Sequence, residues 1–191
     1  MSLKLDAREA WPPELRTLLE KYPREVWPGH ANLGETARFW LERHQGFRDL
    51  GRSLKQATSD FREDNLAPEE FRRFFAPRLQ FFLQSLEGHH QIEDLHYFPV
   101  FRAAEPRLVT GFDVLENDHG AIHADILRVV DAANGLLGRM ESDDETRRRA
   151  TELYAGESER LLKSLARHLD DEEDLIVPVI LDQGERKLFY T

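Results

Sequence analysis

The sequence predicts an all-α protein, an antiparallel up-down-up-down four-helix bundle with an N-terminal arm. Apolar residues recur at steps of three and four along four long segments, which is the pattern of one buried helix face. No segment alternates polar and apolar residues with the two-residue period of a β-strand. Because short connections join the four segments, neighbouring helices are expected to run antiparallel.

The beginning of the chain differs in composition from the rest. Residues 1–31 hold four of the nine prolines and two of the three tryptophans, with only a short helical pattern from about Pro13 to Tyr22. We therefore expect residues 1–31 to form an arm packed on the bundle, residues 32–183 to form the bundle, and residues 184–191 to form a C-terminal tail.

The first two long helices carry the first half of the pattern. One begins near Leu33, and its apolar stripe consists of Ala37, Trp40, His44, Phe47, Gly51 and Leu54. The next begins at Pro68, since proline suits the first turn of a helix. Its stripe consists of Leu79, Phe82, Leu86, His89, Glu93 and then His96 or Tyr97. Pro77 and Pro99 are expected to kink or delimit this helix, because proline has no amide N–H to donate.

The last two long helices repeat the arrangement. The third runs from about Thr110 to Leu136 and ends at Gly135 or Gly138. The fourth opens at Ser142, where the sequence Ser-Asp-Asp-Glu predicts a capping box, and Pro178 is expected to kink or stop it. Their stripes include Leu115, His119, Ile122, His123 and Ile126 on the third helix, and Leu161, Leu165, His168, Glu172 and Leu175 on the fourth.

A repeated motif places histidines and glutamates on these buried faces. The stretch HHQIEDLHYFPV begins at His89, and the similar stretch HLDDEEDLIVPV begins 79 residues later at His168. In each, a glutamate follows the first histidine by four residues, or one helical turn. Buried carboxylates without a partner cost several kcal/mol each, and divalent cations would offset that cost. Five imidazoles and two carboxylates suit iron, manganese or zinc, whereas magnesium and calcium prefer oxygen ligands.

The order of these motifs resembles the hemerythrin family of HHE cation-binding domains. The chain has His44, then His89-x-x-x-Glu93, then His119-x-x-x-His123, then His168-x-x-x-Glu172, with Pro-Val after each carboxylate motif. The likeness covers residues 33–183. It implies a non-haem di-iron centre with His119, His123 and His168 on one iron and His44 and His89 on the other. It also implies that Glu93 and Glu172 bridge the irons beside an oxo or hydroxo group, with manganese or zinc as substitutes in a purified preparation.

The resemblance implies a function as well as a ligand set. One iron would be short of a ligand, and dioxygen, peroxide or nitric oxide would bind at that open position, for sensing, storage or detoxification. Oxygen-carrying members commonly have an aspartate five residues after the last histidine, where this chain has Glu173. We favour Glu172 as the ligand and keep Glu173 as the reserve.

Composition excludes several classes of partner. With 36 acidic and 26 basic residues the formal net charge is −10, which disfavours nucleic acid and anionic membrane surfaces. The chain has no cysteine, so disulfides and thiol catalysis are excluded. No stretch has the length of a signal peptide core or a membrane span, and we expect a cytoplasmic protein.

Three alternatives remain open from the sequence. A ferritin-like di-iron oxidase would use Glu93-x-x-His96 and Glu116-x-x-His119, although Glu42 lies off the first helix's stripe. A metal-dependent regulatory protein without turnover would use Trp11 and Trp27 in the arm as a homodimer or partner surface. An enzyme that decomposes peroxide or nitric oxide would use the same centre as a binding protein.

Three further residues near the repeated motif receive roles outside the ligand set. His90 is expected to face away from the core, since it lies about 100° from His89 on the helix. His96 is expected to orient a ligand carboxylate. Asp94 is expected on the outward face of the helix.

Overall fold

A computed structural model of the chain describes residues 2–189, and these residues contain helices and no strand. The α-helices are α1 Thr17–Lys21, α2 Glu35–Arg62, α3 Pro68–Ile92, α4 Phe98–Ala104, α5 Val109–Leu137, α6 Asp144–Gln183 and α7 Glu185–Phe189. Short 3₁₀ turns occupy Pro13–Leu15, Arg24–Gly29 and Pro106–Leu108. The predicted all-α class is confirmed, and the four predicted long helices correspond to α2, α3, α5 and α6.

A π-helical turn, Glu93–Tyr97, joins α3 to α4. The sequence predicts a single helix through this region, kinked or delimited by Pro99. The hydrogen-bond pattern changes immediately before Pro99, which lies in the first turn of α4 and has no N–H to donate. Because π hydrogen bonds join residues i and i+5, the residues after Glu93 point in directions that the 3.6-residue period does not predict.

The predicted ends of the last two helices differ slightly from the observed ones. α6 begins at Asp144 and not at Ser142, because the Asp143 carboxylate accepts the Thr146 backbone N–H at 3.0 Å and acts as the N-cap. Pro178 lies inside α6, which continues to Gln183, so this proline does not stop the helix. α5 ends at Leu137, immediately before Gly138, as predicted.

Backbone contacts divide the chain into two units. The first consists of the described residues of Met1–Gln45, His89–Gly120 and Ala166–Thr191, and the second of Gly46–Gly88 and Ala121–Leu165. Each unit takes a segment of each of the four long helices.

The core of the first unit includes the N-terminal segment. Trp11, Leu15, Leu18 and Trp27 belong to one buried cluster with residues of α4, α5 and α6, among them Phe98, Phe101, Phe112, Leu175, Val179 and Ile180. Trp11 Nε1 also donates to the carbonyl of Asp171 at 2.9 Å. Trp11 and Trp27 are 3% and 5% exposed, so they do not form the partner surface that one alternative required.

The C-terminal residues anchor the start of α2. Gly184 has a φ of +79°, a conformation that glycine adopts without the penalty paid by other residues, and the chain then continues into α7. The Glu185 carboxylate accepts the backbone N–H groups of Thr36 at 3.2 Å and Ala37 at 2.7 Å. These bonds satisfy donors in the first turn of the helix that carries His44.

The second unit has an aromatic core of its own. The rings of Phe61, Phe71 and Phe75 stack successively at centroid distances of 4.3 and 4.5 Å, and Tyr154 meets Phe75 edge-on at 4.8 Å. None of the described helices, in either unit, has the length and apolar content needed to cross a bilayer.

Candidate metal centre

Seven ionisable side chains converge in the first unit. They are His44 from α2, His89 and His90 from α3, Glu93 from the π turn, His119 from α5, and His168 and Glu172 from α6. Their candidate ligand atoms form two groups, and within each group those atoms lie within 4.8 Å of one another. Six of the seven residues are buried, and the His89 side chain is 12% exposed.

The first group contains His44, His89, Glu93 and Glu172. The Nε2 atoms of His44 and His89 are 3.0 Å apart. Glu93 Oε1 lies 2.8 Å from His89 Nε2, and Glu172 Oε2 lies 3.5 Å from His44 Nε2. Two imidazole nitrogens and two carboxylates therefore face a common point.

The second group contains His90, Glu93, His119 and His168. The Nε2 atoms of His119 and His168 are 3.1 Å apart, and Glu93 Oε2 lies 3.5 Å from His119 Nε2. The His90 ring stacks on the His119 ring at a centroid distance of 4.1 Å and an interplanar angle of 9°. This group offers three imidazoles.

Both glutamates lie between the two groups. Glu93 presents Oε1 to His89 and Oε2 to His119. Glu172 Oε2 is 3.5 Å from the Nε2 atoms of both His44 and His168. A carboxylate that reaches two sets of imidazoles has the position required to bridge two cations.

The spacing on α3 explains how one helix serves both groups. At 3.6 residues per turn, Glu93 lies roughly 40° from His89 and roughly 60° from His90 around the helix axis. The glutamate therefore falls between the two histidines, and each histidine joins the group on its own side. The motif His-His-x-x-Glu is the sequence signal for this arrangement.

The carboxylate oxygens of the centre are not satisfied by the protein. Glu93 and Glu172 are 1% and 0% exposed, and all four of their side-chain oxygens lack a hydrogen-bond partner among the described residues. His89 Nε2 is near Glu93 Oε1, but the pair does not have the geometry of a hydrogen bond. His90 Nε2 is also buried without a partner. Since unsatisfied buried polar groups are rare, this donor set fits cations held between the imidazoles and the carboxylates.

Burial sets the protonation states of the metal-free side chains. It lowers the pKa of His44, and it lowers the pKa values of His90 and His168 far below the usual range. Burial, together with the neighbouring His119 and Arg43, lowers the pKa of His89 to about 3. These imidazoles are neutral at pH 7, which is the form that binds a metal.

Burial shifts the pKa values of the two glutamates upward, opposite to its effect on the histidines. Burial raises the pKa values of Glu93 and Glu172 well above the usual range, and the charge of Glu93 raises that of Glu172 further. The charged form of each is costly without a cation, which is the condition that a divalent metal relieves.

Acidic side chains accept hydrogen bonds from two of the histidines and orient their rings, and a third acidic side chain faces His168 without a hydrogen bond. His44 Nδ1 donates to Glu173 Oε1 at 3.0 Å, and His119 Nδ1 donates to Asp94 Oδ1 at 2.8 Å. Asp118 Oδ2 faces His168 Nδ1 at 3.6 Å, just beyond hydrogen-bond length. A proton held on Nδ1 leaves the Nε2 lone pair available to the centre.

The structure brings together six of the seven residues predicted as ligands and does not bring in His123. The His123 side chain is 51% exposed, and its Nδ1 pairs with Glu87 at 2.9 Å. At that level of α5 the buried position is occupied by Ile122, one residue earlier. His90 provides the seventh side chain, so the prediction that it faces away is wrong.

Three other residues near the centre have environments that differ from those predicted. The Asp94 side chain was predicted to lie on the outward face of the helix, but its carboxylate accepts the hydrogen bond from His119 Nδ1. His96, predicted to orient a ligand, is exposed. Glu173, the reserve ligand, bonds Nδ1 of His44 and does not belong to either group.

The residues specific to a ferritin-like centre are elsewhere. Glu116 is exposed and pairs with Arg102 at 2.6 Å, and Glu42 is exposed. Neither belongs to the two groups found among the described residues.

Aromatic rings border the centre. Trp40 meets the rings of His44 and His89 edge-on, each at a centroid distance of 6.2 Å, and Tyr97 packs on Trp40 at 4.6 Å. Phe98 stacks on His119 at 5.4 Å. These rings surround the imidazoles with apolar surface.

Comparison with known proteins gives one match. The family model for the hemerythrin HHE cation binding domain matches residues 36–180. No curated protein and no solved structure matches the chain.

Proposed function

Because the chain belongs to the hemerythrin HHE cation-binding family, we propose that it is a non-haem di-iron protein that binds dioxygen or a related small ligand, peroxide or nitric oxide. The single observation that carries the proposal is the pair of shared, unsatisfied glutamates between two groups of imidazoles. The proposal includes the antiparallel up-down-up-down arrangement of the four long helices, and the division into an arm of residues 1–31, a bundle of residues 32–183 and a tail of residues 184–191.

The proposed ligand set differs from the sequence-based one at one position. His90, His119 and His168 would hold one iron, and His44 and His89 would hold the other. Glu93 and Glu172 would bridge them, beside an oxo or hydroxo group. His90 replaces His123 because His90 Nε2 is buried and unpartnered, whereas His123 is exposed and paired with Glu87.

The count of imidazoles supports an open position on one iron. Three imidazoles flank one position and only two flank the other, so the ion beside His44 and His89 would have room for an added ligand. Bound iron would supply a redox-active Lewis acid there. Trp40 borders both of these histidines and would limit the access of water to them.

Metal content and reactivity test the proposal. Protein expressed with added iron and purified aerobically should contain two irons per chain, one for each group, and charge-transfer bands in the near ultraviolet. Full occupancy by a single zinc, or the absence of metal after iron-supplemented expression, would contradict the proposal. Manganese and zinc loading provide the comparison, since neither gives the iron spectrum.

Stopped-flow mixing separates binding from turnover. The reduced iron-loaded protein is mixed with dioxygen and, separately, with peroxide, and the spectrum is followed. An adduct that dissociates under low oxygen and restores the reduced protein supports storage or sensing. Repeated consumption of peroxide supports detoxification.

A further inference from the structure

Arg24, in the N-terminal segment, holds the carboxylate that orients a histidine of the first group. Its Nη1 donates to Glu173 Oε2 at 2.9 Å, while Glu173 Oε1 accepts from His44 Nδ1 at 3.0 Å. The same guanidinium donates through Nε to Asp174 Oδ1 at 2.7 Å and through Nη2 to the Asp170 carbonyl at 2.9 Å. A continuous path of hydrogen bonds therefore runs from Arg24 to a candidate metal ligand.

Arg8 lies behind the second group, where it fixes a carboxylate that faces His168 Nδ1 without a hydrogen bond to it. Its side chain is fully buried, and it pairs through Nη2 with Asp118 and through Nε with Asp171 Oδ2, the latter at 2.6 Å. The Asp118 oxygen that it holds faces His168 Nδ1 at 3.6 Å. Arg8 also donates to the Leu3 carbonyl at 2.7 Å, so its position is fixed from several sides.

These contacts do more than attach the segment to the helices. An acceptor at Nδ1 fixes the ring orientation and the tautomer of a ligand histidine, and it makes Nε2 a better donor to a metal. A guanidinium that binds a carboxylate by charge-assisted hydrogen bonds fixes that acceptor in turn. Removing the arginine would take away the charge-assisted hydrogen bond that holds Glu173 or Asp118 in place beside the histidine.

We propose that the N-terminal segment is a positioning element of the metal centre, in which Arg24 acts on His44 through the hydrogen bonds of Glu173 and Arg8 fixes the Asp118 carboxylate that faces His168. The inference rests on the proposed metal-binding function. It assigns to this segment a role at both groups of the centre, because His44 belongs to one group and His168 to the other.

The chain contains a matched control for this role. Lys21 lies in the same segment and pairs with Asp182 of α6 at 2.6 Å, as Arg24 pairs with α6 carboxylates. Asp182 is bonded to Lys21 and Tyr22, and no bond joins it to a histidine of the centre. If the segment has a purely structural function, replacing Lys21 or Arg24 should change the stability of the protein but not the Fe²⁺ affinity of the folded centre.

The experiment compares Arg24→Gln with Lys21→Gln. Full-length proteins are stripped of metal and titrated anaerobically with Fe²⁺ against a competing chelator, and unfolding midpoints of the metal-free forms are recorded. We expect R24Q to weaken Fe²⁺ binding by about 10- to 100-fold, the usual effect of losing a group that orients a ligand, and K21Q to leave it unchanged. The metal-free midpoint of R24Q should fall further than that of K21Q, because Arg24 makes two ion pairs and a bond to the Asp170 carbonyl whereas Lys21 makes one ion pair; Fe²⁺ affinity measured on folded metal-free protein is therefore the deciding readout.

A double-mutant cycle tests the route through Glu173. In a Glu173→Gln background, R24Q should weaken Fe²⁺ binding no further, because the acceptor that Arg24 holds is already altered. Arg24→Lys should recover part of the lost affinity by restoring the charge without the planar fork. At the second group the variant is Arg8→Lys. It keeps the positive charge, because a neutral residue at the buried position of Arg8 would leave its carboxylate partners without a counter-charge.

The outcomes separate this inference from the proposed function. Equal weakening by R24Q and K21Q, or an undiminished R24Q effect in the E173Q background, overturns the positioning role and leaves the metal centre in place. Wild-type protein that binds no Fe²⁺ overturns both proposals. Wild-type protein that binds two Fe²⁺ with an affinity that R24Q leaves unchanged overturns only the role of the segment.

Discussion

Replacing His90 by alanine is the sharpest test of the ligand set, because sequence pattern and structure disagree there. The matched control is His123→Ala, which removes the same imidazole from the position that the sequence predicts as a ligand. His90 is 4% exposed and stacked on His119, whereas the His123 side chain is 51% exposed. The two variants therefore remove similar chemistry from different environments.

The expected magnitudes follow from those environments. In the metal-free protein, H90A loses an aromatic stack worth about 1 kcal/mol, but it also removes a buried nitrogen without a partner, which costs a similar amount. These two terms nearly cancel, so the cavity left by the buried ring dominates and should lower the free energy of unfolding by about 2 to 5 kcal/mol, which the metal-free unfolding curve separates from the loss of iron. Iron affinity should fall by more than about 100-fold, or about 2.7 kcal/mol, because losing a group that only orients a ligand already costs about 10- to 100-fold.

The assay is iron content after gel filtration, with anaerobic Fe²⁺ titration and urea unfolding of the metal-free proteins. H90A should lose iron from one position, while H123A should retain two irons per chain and unfold within about 0.5 kcal/mol of wild type. The reverse result, with H123A losing iron and H90A retaining it, would refute the structural assignment and restore the sequence-based ligand set.

Three further predictions concern stability. Glu172→Gln should abolish binding of the second iron yet stabilise the metal-free protein by about 1 kcal/mol or more in urea unfolding at pH 7, because folding no longer has to protonate a carboxyl group whose pKa burial raises well above its usual range; a metal-free loss of stability would count against the cost we assign to it. Burial raises the pKa of Tyr154 to about 12, so the folded state holds this proton more tightly than the unfolded state does. Stability should fall by up to about 3 kcal/mol between pH 10 and pH 12, and Tyr154→Phe should remove that fall; an equal fall in the variant would contradict the assignment. Glu185→Ala should destabilise the protein by about 1 kcal/mol by removing the cap on α2, whereas the exposed Arg186→Ala should have little effect in the same thermal-unfolding series.

The helices could be predicted from the sequence because each long segment repeats its apolar residues with the helical period. The same period placed His44, His89, His119 and His168 on buried faces, and the structure gathers those four residues. Helical spacing predicts the direction in which each side chain points from its own helix. It does not predict which residues of the neighbouring helices that side chain will contact. For that reason the pattern favoured His123, which lies on the predicted stripe of the third helix, whereas the structure places His90 in the centre.

Other features depend on geometry that no spacing rule contains. The π turn at Glu93–Tyr97 changes the direction of Asp94 toward His119, and a regular α-helix would not predict it. Arg8 and Asp171 are separated by 163 positions in the chain, so their contact could not be derived from local pattern. The sequence does contain the motif His-His-x-x-Glu. Once Glu93 is known to lie between His89 and His90 around the helix, the motif indicates that each histidine joins a different group.

The distribution of the ligands along the chain has a consequence for biosynthesis. The first group needs His44 and Glu172, and the second needs His90 and His168, so neither group is complete until the greater part of α6 has been translated. A nascent chain that has emerged only through α5 offers several imidazoles but lacks one of the two shared carboxylates. If the proposed di-iron function holds, metal insertion would be a late event in maturation, and ribosome-bound chains truncated before His168 should not retain iron. Cells that limit iron supply would accumulate complete but unloaded protein, with both buried glutamates in place.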